Sequence, residues 1–401
     1  MTRRTFGVSA ALAVGSPLLL NSGVSSVLDA LAAQASGDRN ADRAMQAYSA
    51  MQQQYYVPAA KLYRPFQPAQ PGNAYSYVWP FSQALVATLD LVGLPHGGSR
   101  YKGDLHDRMA GLAPYWNTAP ASHNPPSPPA PSSPPGYASY VLPPLGQGGD
   151  LFYDDNEWIG LAAVQQYEML GDTDALNRAK AIFEVVRYGW DSDSSHANPG
   201  GTYWTQAPWS HDRNTISNGP GAELGVHLYL ITKDSSYLDD SRRMFDWANR
   251  YMRAPNGLYW DHVDLGGHVE ATQWTYNQGV MLGAASLLYK ATSQQAYLSL
   301  ATDIANRALD FYSQAGRLYT QDVIFNAIFF KNLLSLSSIR PDGRYRSALQ
   351  SYADALWQGV DAATGLLKIQ PYKPLDVIVQ AGFVQLFAML AWDPGDYHLL
   401  A

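Results

Sequence analysis

Residues 222–252 decide the fold, and they read AELGVHLYLITKDSSYLDDSRRMFDWANRYM. Ala222–Ile231 is apolar on nearly every face of a helix, a polar turn follows at 232–235, and Tyr237–Met252 has one polar face. This pattern predicts a helical hairpin whose first helix is covered on most sides and whose second helix is covered on one side only.

The hairpin recurs about every sixty residues. A tyrosine precedes a leucine by nine residues in three successive segments, Tyr167–Leu176, Tyr229–Leu238 and Tyr289–Leu298. Apolar helices are predicted at 79–92, 154–170, 218–231, 276–290, 322–336 and 376–391, and amphipathic partners at 41–56, 101–113, 173–188, 235–252, 294–313 and 342–358. Because six nearly apolar helices need to cover one another, the sequence predicts an all-α, single-domain (α/α)6 barrel of six helical hairpins. An open α-solenoid of the same hairpins is the alternative.

The N-terminus has the features of an export signal. Arg3 and Arg4 precede an apolar run at 8–20, and Ala33-Gln34-Ala35 offers a small-x-small cleavage site. This resembles a Tat-type signal peptide over residues 1–35, with a Sec-type signal as the alternative, and leaves a domain over residues 36–401. The apolar run is too short for a stable span, so we expect a secreted, extracellular protein with no stable membrane insertion after signal removal.

Composition excludes several classes of site and partner. The 401 residues include 27 Lys+Arg and 34 Asp+Glu, a net charge of −7, which argues against a nucleic-acid partner. There is no cysteine, so disulfides, Cys-ligated metals and thiol nucleophiles are excluded. Asp191-Ser192-Asp193 lacks the glycine and the distal glutamate of an EF-hand, which favours a solvated turn. We expect no metal site and no cofactor, and we expect a monomer.

Three long connections precede predicted inner helices. The first, at 117–147, is rich in proline, since ten of the 26 prolines lie between Pro120 and Pro144. It is predicted to be a polyproline-like loop over one face of the barrel, with a linker between two domains as the alternative. This loop, 197–208 and 256–271 are expected to gather at one end of the barrel and to form a cleft there.

Asp154 and Asp155, at the start of the second apolar helix, are the sharpest chemical feature. Hydrolysis of a glycosidic bond needs two carboxyl groups, one that attacks or activates and one that donates a proton. Aromatic residues in the nearby loops suit the apolar faces of sugar rings. A structural alternative exists, because Asp154 with Glu157 three residues later also fits a capping box. Asp261 and Glu270 are alternative acids.

A wider pattern surrounds the two aspartates. Residues 153–162, which read YDDNEWIGLA, resemble the paired-aspartate motif of glycoside hydrolase family 76, the endo-α-1,6-mannanase family. Similar stretches follow in the same order at 189–191, 199–204, 214–219, 275–279 and 330–331. The resemblance covers residues 40–391. It departs from the family in the hairpin turns, where Thr-Gly-Asp is replaced by Thr232-Lys233-Asp234 and Thr292-Ser293-Gln294.

The resemblance implies an (α/α)6 barrel that cleaves α-1,6-linked mannan, a polysaccharide, with retention of configuration. Asp154 would be the nucleophile, and Asp155 would protonate the leaving oxygen and then activate water. Substrate contacts are expected from the other motif residues and from loop aromatics, namely Tyr153, Asn156, Trp204, Asn214, Asn218, Trp260, Asp261, Tyr276, Asn277, Gln278 and Lys331. Two rival functions stay open. One is a transglycosidase or a hydrolase of another α-linked polysaccharide, and the other is a non-catalytic glycan-binding protein.

Overall fold

The computed structural model describes residues 21–121, 133–369 and 374–401, with side chains from residue 36 onward. Twelve α-helices lie in these ranges. In chain order they are α1 (Asn21–Tyr55), α2 (Val78–Val92), α3 (Lys102–Gly111), α4 (Tyr153–Leu170), α5 (Thr173–Tyr188), α6 (Thr215–Thr232), α7 (Ser235–Tyr251), α8 (Thr275–Thr292), α9 (Gln295–Ser313), α10 (Val323–Ile339), α11 (Gly343–Trp357) and α12 (Val377–Ala391).

The helices alternate in burial as the sequence predicts. The even-numbered helices are buried on nearly every face, whereas the odd-numbered helices bury a single stripe. Predicted and observed ends agree within three residues, except that α1 begins at Asn21 rather than at 41. Residues 31–40 contain no proline, so the helix continues in the N-terminal direction beyond its apolar stripe.

The even-numbered helices form a closed ring. Each packs against the next one, and α12 packs against α2. Each odd-numbered helix packs against the even-numbered helix before it, and α1, which has none before it, packs against α12. The first and last helices therefore complete the sixth hairpin. This arrangement confirms the (α/α)6 barrel and shows that the open solenoid is wrong.

Three inner helices end in the same turn. Gly171 (φ 70°), Lys233 (φ 63°) and Ser293 (φ 58°) follow α4, α6 and α8 in the left-handed conformation. Asp172 and Asp234 then cap the next helix through their carboxylates. The departures from Thr-Gly-Asp therefore leave the turn geometry unchanged but place side chains where glycine is favoured.

All nine short strands within the described ranges lie in segments that precede an inner helix. β1 (Tyr56–Val57) pairs with β2 (Leu62–Tyr63), β3 (Phe66–Gln67) with β9 (Leu375–Asp376), and β4 (Trp116–Asn117) with β5 (Gly136–Tyr137), while β6 (Asp212–Asn214), β7 (His262–Asp264) and β8 (Val269–Glu270) form one antiparallel sheet. The long loops thus converge at one end of the barrel. The proline-rich stretch 124–129 lies outside the described residues, but β4 and β5 join the two ends of its loop. None of the described helices is both long enough and apolar enough to span a membrane.

Candidate active site

A cleft of about 890 Å³ opens at the end of the barrel where the inner helices begin. One helix position recurs on its surface. The second residue of five inner helices lines the cleft, and α10 contributes its third residue; these are Trp79, Asp154, Ile216, Tyr276, Ile378 and Phe325. Because the inner helices run in the same direction around the ring, the same position in each helix faces the common axis.

The two predicted catalytic aspartates lie side by side in the first turn of α4 and both line the cleft. The Trp204 indole donates a hydrogen bond from Nε1 to Asp154 Oδ2 (3.2 Å), and the backbone N–H of Asp155 donates to Asp154 Oδ1 (2.9 Å). Among the described residues, no donor reaches the Asp155 carboxyl. Asp154 is therefore the better stabilised anion of the two.

The environments of the two carboxyls give them different pKa values. Burial raises the pKa of Asp154 to about 7, and its hydrogen bonds to Trp204 and to backbone N–H groups oppose that rise. Burial also raises the pKa of Asp155 well above its usual range, and the charge of Asp154 raises it further. Asp154 therefore loses its proton at a lower pH than Asp155 does, which is the division of roles that glycoside hydrolysis needs.

The capping-box alternative is wrong. Phe152 is the N-cap of α4 and makes no side-chain cap, and Glu157 does not reach back to the helix start. Its fully buried carboxyl instead lies inside the barrel against Gly221 of α6, where a Cβ would be 2.9 Å from Oε1. Burial, together with the charges of Asp154 and Glu223, raises the pKa of Glu157 well above its usual range, so this carboxyl is neutral.

Aromatic rings form two walls beside the aspartates. In the first wall, Trp204 makes edge contacts with Phe152 (5.0 Å between centroids) and Trp209 (5.9 Å). In the second wall, Phe325 stacks on Tyr276 at 3.9 Å and on Trp79 at 6.1 Å. Flat apolar faces beside carboxylates are suited to pyranose rings, whose hydroxyls bond to the polar groups while their C–H faces stack.

The predicted site residues separate into two groups. Those that the structure brings together in the cleft are Asp154, Asp155, Trp204, Asn214, Asp261 and Tyr276. Asn214 is 5% exposed, and its Oδ1 has no hydrogen-bond partner among the described residues. A residue that lines the cleft thus carries an unsatisfied, buried acceptor.

Three of the predicted amides of the motifs, Asn156, Asn218 and Gln278, do not reach the cleft. Each is the fourth residue of an inner helix and is fully buried, and its amide bonds both the N–H and the carbonyl of one residue in an outer loop. Positions two and four of a helix differ by about 200°, so an amide at position four faces away from the cleft. These pairs are Asn156–Tyr137, Asn218–Thr202 and Gln278–Tyr259, and Gln380–Leu367 adds a fourth that sequence reasoning missed.

The remaining predicted contacts also lie away from the cleft. Tyr153 is buried in a small cluster with Leu151, Val185 and Tyr203. Trp260 is half-buried against the core, and its carbonyl accepts a bond from Asn277 Nδ2 (3.4 Å). These side chains are positioned to support the loops.

Lys331 lies inside the barrel. It is six residues after Phe325 in α10, about 9 Å farther along the helix axis. Its Nζ is 3.3 Å from both Asp90 Oδ1 and Gln165 Oε1. Its charge is thus paired with Asp90 within the ring and is not presented to the cleft.

Asp191 differs from the solvated turn that the sequence predicts. It is 2% exposed and accepts a bond from Arg213 Nη1 (2.9 Å), which is also fully buried. Arg213 Nη2 donates to the carbonyls of Ala197 and Asp264, so this ion pair ties together the loops before α6 and α8. Among the described residues, no cluster of three His, Asp or Glu side chains is arranged to hold a metal ion.

Sequence reasoning missed several residues that line the cleft, namely Trp79, Phe152, Asp212, His262 and Phe325. A repeated position could have found two of them, because Trp79 and Phe325 stand in the first turn of an inner helix as Asp154 does. Asp212 and His262 are placed by β6 and β7, whose two or three residues carry no readable strand pattern.

Three comparisons with known proteins bear on this site. Residues 132–373 match the family model described as glycosyl hydrolase family 76. The mannan endo-1,6-α-mannosidase DCW1 of Candida glabrata is 26% identical over 226 residues, which cover 50% of each chain. The chain thus spans about half the length of this curated relative.

Solved structures share the fold. The family 76 mannosidase Bt3792 of Bacteroides thetaiotaomicron superposes with a TM-score of 0.75 at 24% identity, covering 88% of this chain and 98% of that one. An inactive variant of the α-1,6-mannanase GH76A of a Salegentibacter species, with two consecutive aspartates replaced by alanine, was solved with α-1,6-mannotetrose. It superposes with a TM-score of 0.69 at 21% identity, covering 88% and 98%. With the family model matching more than half of its residues, the chain belongs to glycosyl hydrolase family 76.

Proposed function

We propose that the protein is a secreted, retaining endo-α-1,6-mannanase. The observation that carries the proposal is the Asp154–Asp155 pair, which faces a single cleft with one carboxyl stabilised as an anion and the other protonated. The choice of substrate is supported by the curated relatives, which are mannan endo-1,6-α-mannosidases. The α-1,6-mannotetrose bound by the Salegentibacter enzyme supports it as well.

The reaction proceeds by two displacements. The Asp154 carboxylate attacks the anomeric carbon, the bond from that carbon to the glycosidic oxygen breaks, and the Asp155 proton passes to the departing 6-hydroxyl. A covalent mannosyl–Asp154 ester remains. Water then attacks the anomeric carbon, gives its proton to the Asp155 carboxylate, and releases Asp154 as the anion. The two aromatic walls hold the sugars on either side of the scissile bond.

We also propose that residues 1–35 form a Tat-type signal that is removed on export. The twin arginine at Arg3 and Arg4, the apolar run and Ala33-Gln34-Ala35 support this assignment. N-terminal sequencing of the exported protein tests it, with a first residue at 36 as the expected result. A start upstream of 30 would contradict it.

The activity is tested on linear mannans of defined linkage. We expect reducing ends to appear from α-1,6-mannan and not from α-1,2- or α-1,3-mannan, and proton NMR at early times to show the α-anomer first. Initial release of the β-anomer would contradict retention. Transfer of mannosyl units to an added acceptor would favour a transglycosidase, and binding without any cleavage would favour a glycan-binding protein.

A further inference from the structure

The cleft has an unbalanced charge. Beyond the catalytic pair, four carboxylates line it, which we name the outer carboxylates: Asp150, Asp212, Asp261 and Asp376. They come from four separate segments, namely the loop before α4, strand β6, the residue before β7 and the N-cap of α12. Among the described residues that line the cleft, none is a lysine or an arginine.

The single histidine on the cleft does not balance these charges. His262 Nδ1 lies 3.0 Å from Asp261 Oδ2, and this hydrogen bond raises the pKa of the imidazole. When the imidazole is protonated, its ion pair is with Asp261, and the charge of Asp212 also favours its protonated form. Within the described ranges, no cationic side chain forms an ion pair with Asp150, Asp212 or Asp376.

Asp212 is the outer carboxylate most closely linked to the catalytic pair. Its charge contributes to raising the pKa of Asp154, so its field reaches the reacting carboxyl. It accepts a hydrogen bond from Ser210 Oγ (2.8 Å). Two residues further on, Asn214 lines the same cleft, and its buried Oδ1 has no hydrogen-bond partner among the described residues. An acceptor that lacks a partner points to a ligand that donates hydrogen bonds.

From these observations we infer that the cleft selects its glycan by charge. It accepts neutral or ammonium-bearing segments and rejects segments that carry phosphate or carboxylate groups near the scissile bond, and Asp212 is a principal determinant. The inference rests on the proposed function. Several charges of one sign in a partly dry cleft focus the potential there and make like-charged substituents costly to bind.

The test uses one preparation of α-1,6-mannan in three forms: unmodified, sparsely carboxymethylated, and aminoethylated to the same degree. The two substituents are similar in size and opposite in charge. At low salt we expect kcat/KM for the carboxymethylated form to be about tenfold below that of the unmodified form, and the aminoethylated form to be at least as good as the unmodified one. The difference in kcat/KM between the carboxymethylated and aminoethylated forms should become smaller in about 0.5 M NaCl, because salt screens the electrostatic field of the cleft.

Variants assign the effect to the cleft. Asp212→Asn should lower the ratio of kcat/KM for the aminoethylated form to kcat/KM for the carboxymethylated form. Asp150→Asn is the second variant if the first does not fold. Asp239→Asn is the matched control, because it makes the same charge change on the exposed face of α7 and should leave the ratio as it is in the parent.

Two outcomes separate this inference from the proposed function. Hydrolysis of all three forms with equal kcat/KM would overturn charge selection and leave the mannanase assignment intact. If no form is hydrolysed, the mannanase assignment fails, and calorimetric titration of the same polymers into the parent protein decides the inference. A weaker affinity for the carboxymethylated form would then support it, and equal affinities would overturn it.

Discussion

Asp154 and Asp155 differ in their hydrogen bonds more than in their positions along the chain. Both stand in the first turn of α4 and both line the cleft, yet only Asp154 receives the Trp204 N–H. That single donor favours the charged form of one carboxyl, and the resulting charge favours the proton on its neighbour. The division of chemical roles therefore depends on a tryptophan in a loop fifty residues away.

Replacing Trp204 by phenylalanine tests this dependence. Loss of the Nε1 donor should raise the pKa of Asp154 further above 7, because a hydrogen bond that stabilises the anion is removed. Since Asp154 acts as the anion, the acidic limb of kcat/KM should move to higher pH by about one unit, and kcat/KM at pH 6 should fall about tenfold. The pH–rate profile on α-1,6-mannan measures both effects.

Trp209→Phe is the matched control. It removes an indole N–H that points to Asp150 (3.4 Å) rather than to a catalytic carboxyl. We expect its acidic limb to coincide with that of the parent. An unshifted limb in Trp204→Phe, or an equal shift in both variants, would contradict the role of Trp204.

At the scale of the helix, the second residue of most inner helices faces the cleft, and the fourth residue of four of them bonds to an outer loop. Asn156, Asn218, Gln278 and Gln380 each clamp the backbone of an outer loop residue. The place of the first three in family-like motifs predicts sugar contacts, because a motif records that a residue type recurs and not which way it points. The helical rotation of about 100° per residue decides the direction, and it turns position four away from the axis.

Removing one clamp should cost stability. Asn218→Ala leaves the Thr202 N–H and the Asn214 carbonyl buried without their partner, so we expect a loss of about 2–4 kcal/mol. Urea unfolding measures it. Gln53→Ala, which removes an exposed amide from α1, should change stability by no more than about 0.5 kcal/mol. Equal effects of the two substitutions would contradict the clamp.

A substitution in a hairpin turn should have the opposite effect and increase the stability of the protein. Lys233 and Ser293 hold the left-handed conformation that Gly171 holds after α4. Lys233→Gly should stabilise the protein by about 1 kcal/mol, because glycine avoids the clash of Cβ with the backbone. Lys233→Ala keeps the Cβ and should bring no gain. Thermal unfolding of the two variants compares them, and a destabilised Lys233→Gly would argue against strain at this turn.

At the scale of the molecule, the buried carboxyls make stability depend on pH. Burial raises the pKa of six of them, with Asp154 at about 7, Asp376 at about 6, Asp90 above its usual value, and Asp155, Glu157 and Glu223 well above their usual range. The folded protein keeps these protons at pH values where the unfolded chain, with carboxyl pKa values near 4, has released them. The folded state then binds more protons, so its stability falls as the pH rises above about 4.

Calorimetry between pH 5 and pH 8 tests this dependence. The Tm of the parent should be lower at pH 8 than at pH 5. Glu157→Gln replaces one buried carboxyl by a neutral group of the same shape, so its Tm should lie a few degrees above that of the parent at pH 8 and close to it at pH 5. A Tm that rises from pH 5 to pH 8 in the parent would contradict the account.

The sequence predicts the barrel well because burial leaves a direct mark on composition. A helix such as α12, which contains no charged residue, is predicted to be an inner helix, and six helices that are nearly apolar imply a ring. The residues that line the cleft are harder to predict from the sequence. Asp154 and Asp155 are recognisable from chemistry, but Asp212 and His262 join them only through the folding of short strands that have no periodic pattern.

The central claim is that Asp154 and Asp155 together cleave α-1,6-mannan, and the rate of reducing-end release by single variants tests it most directly. We predict that Asp154→Asn and Asp155→Asn each remain folded and each lose activity by about 10³-fold or more, while Asp239→Asn keeps the parent rate. Hydrolysis of linear α-1,6-mannan at the parent rate by either of the first two variants would contradict the claim.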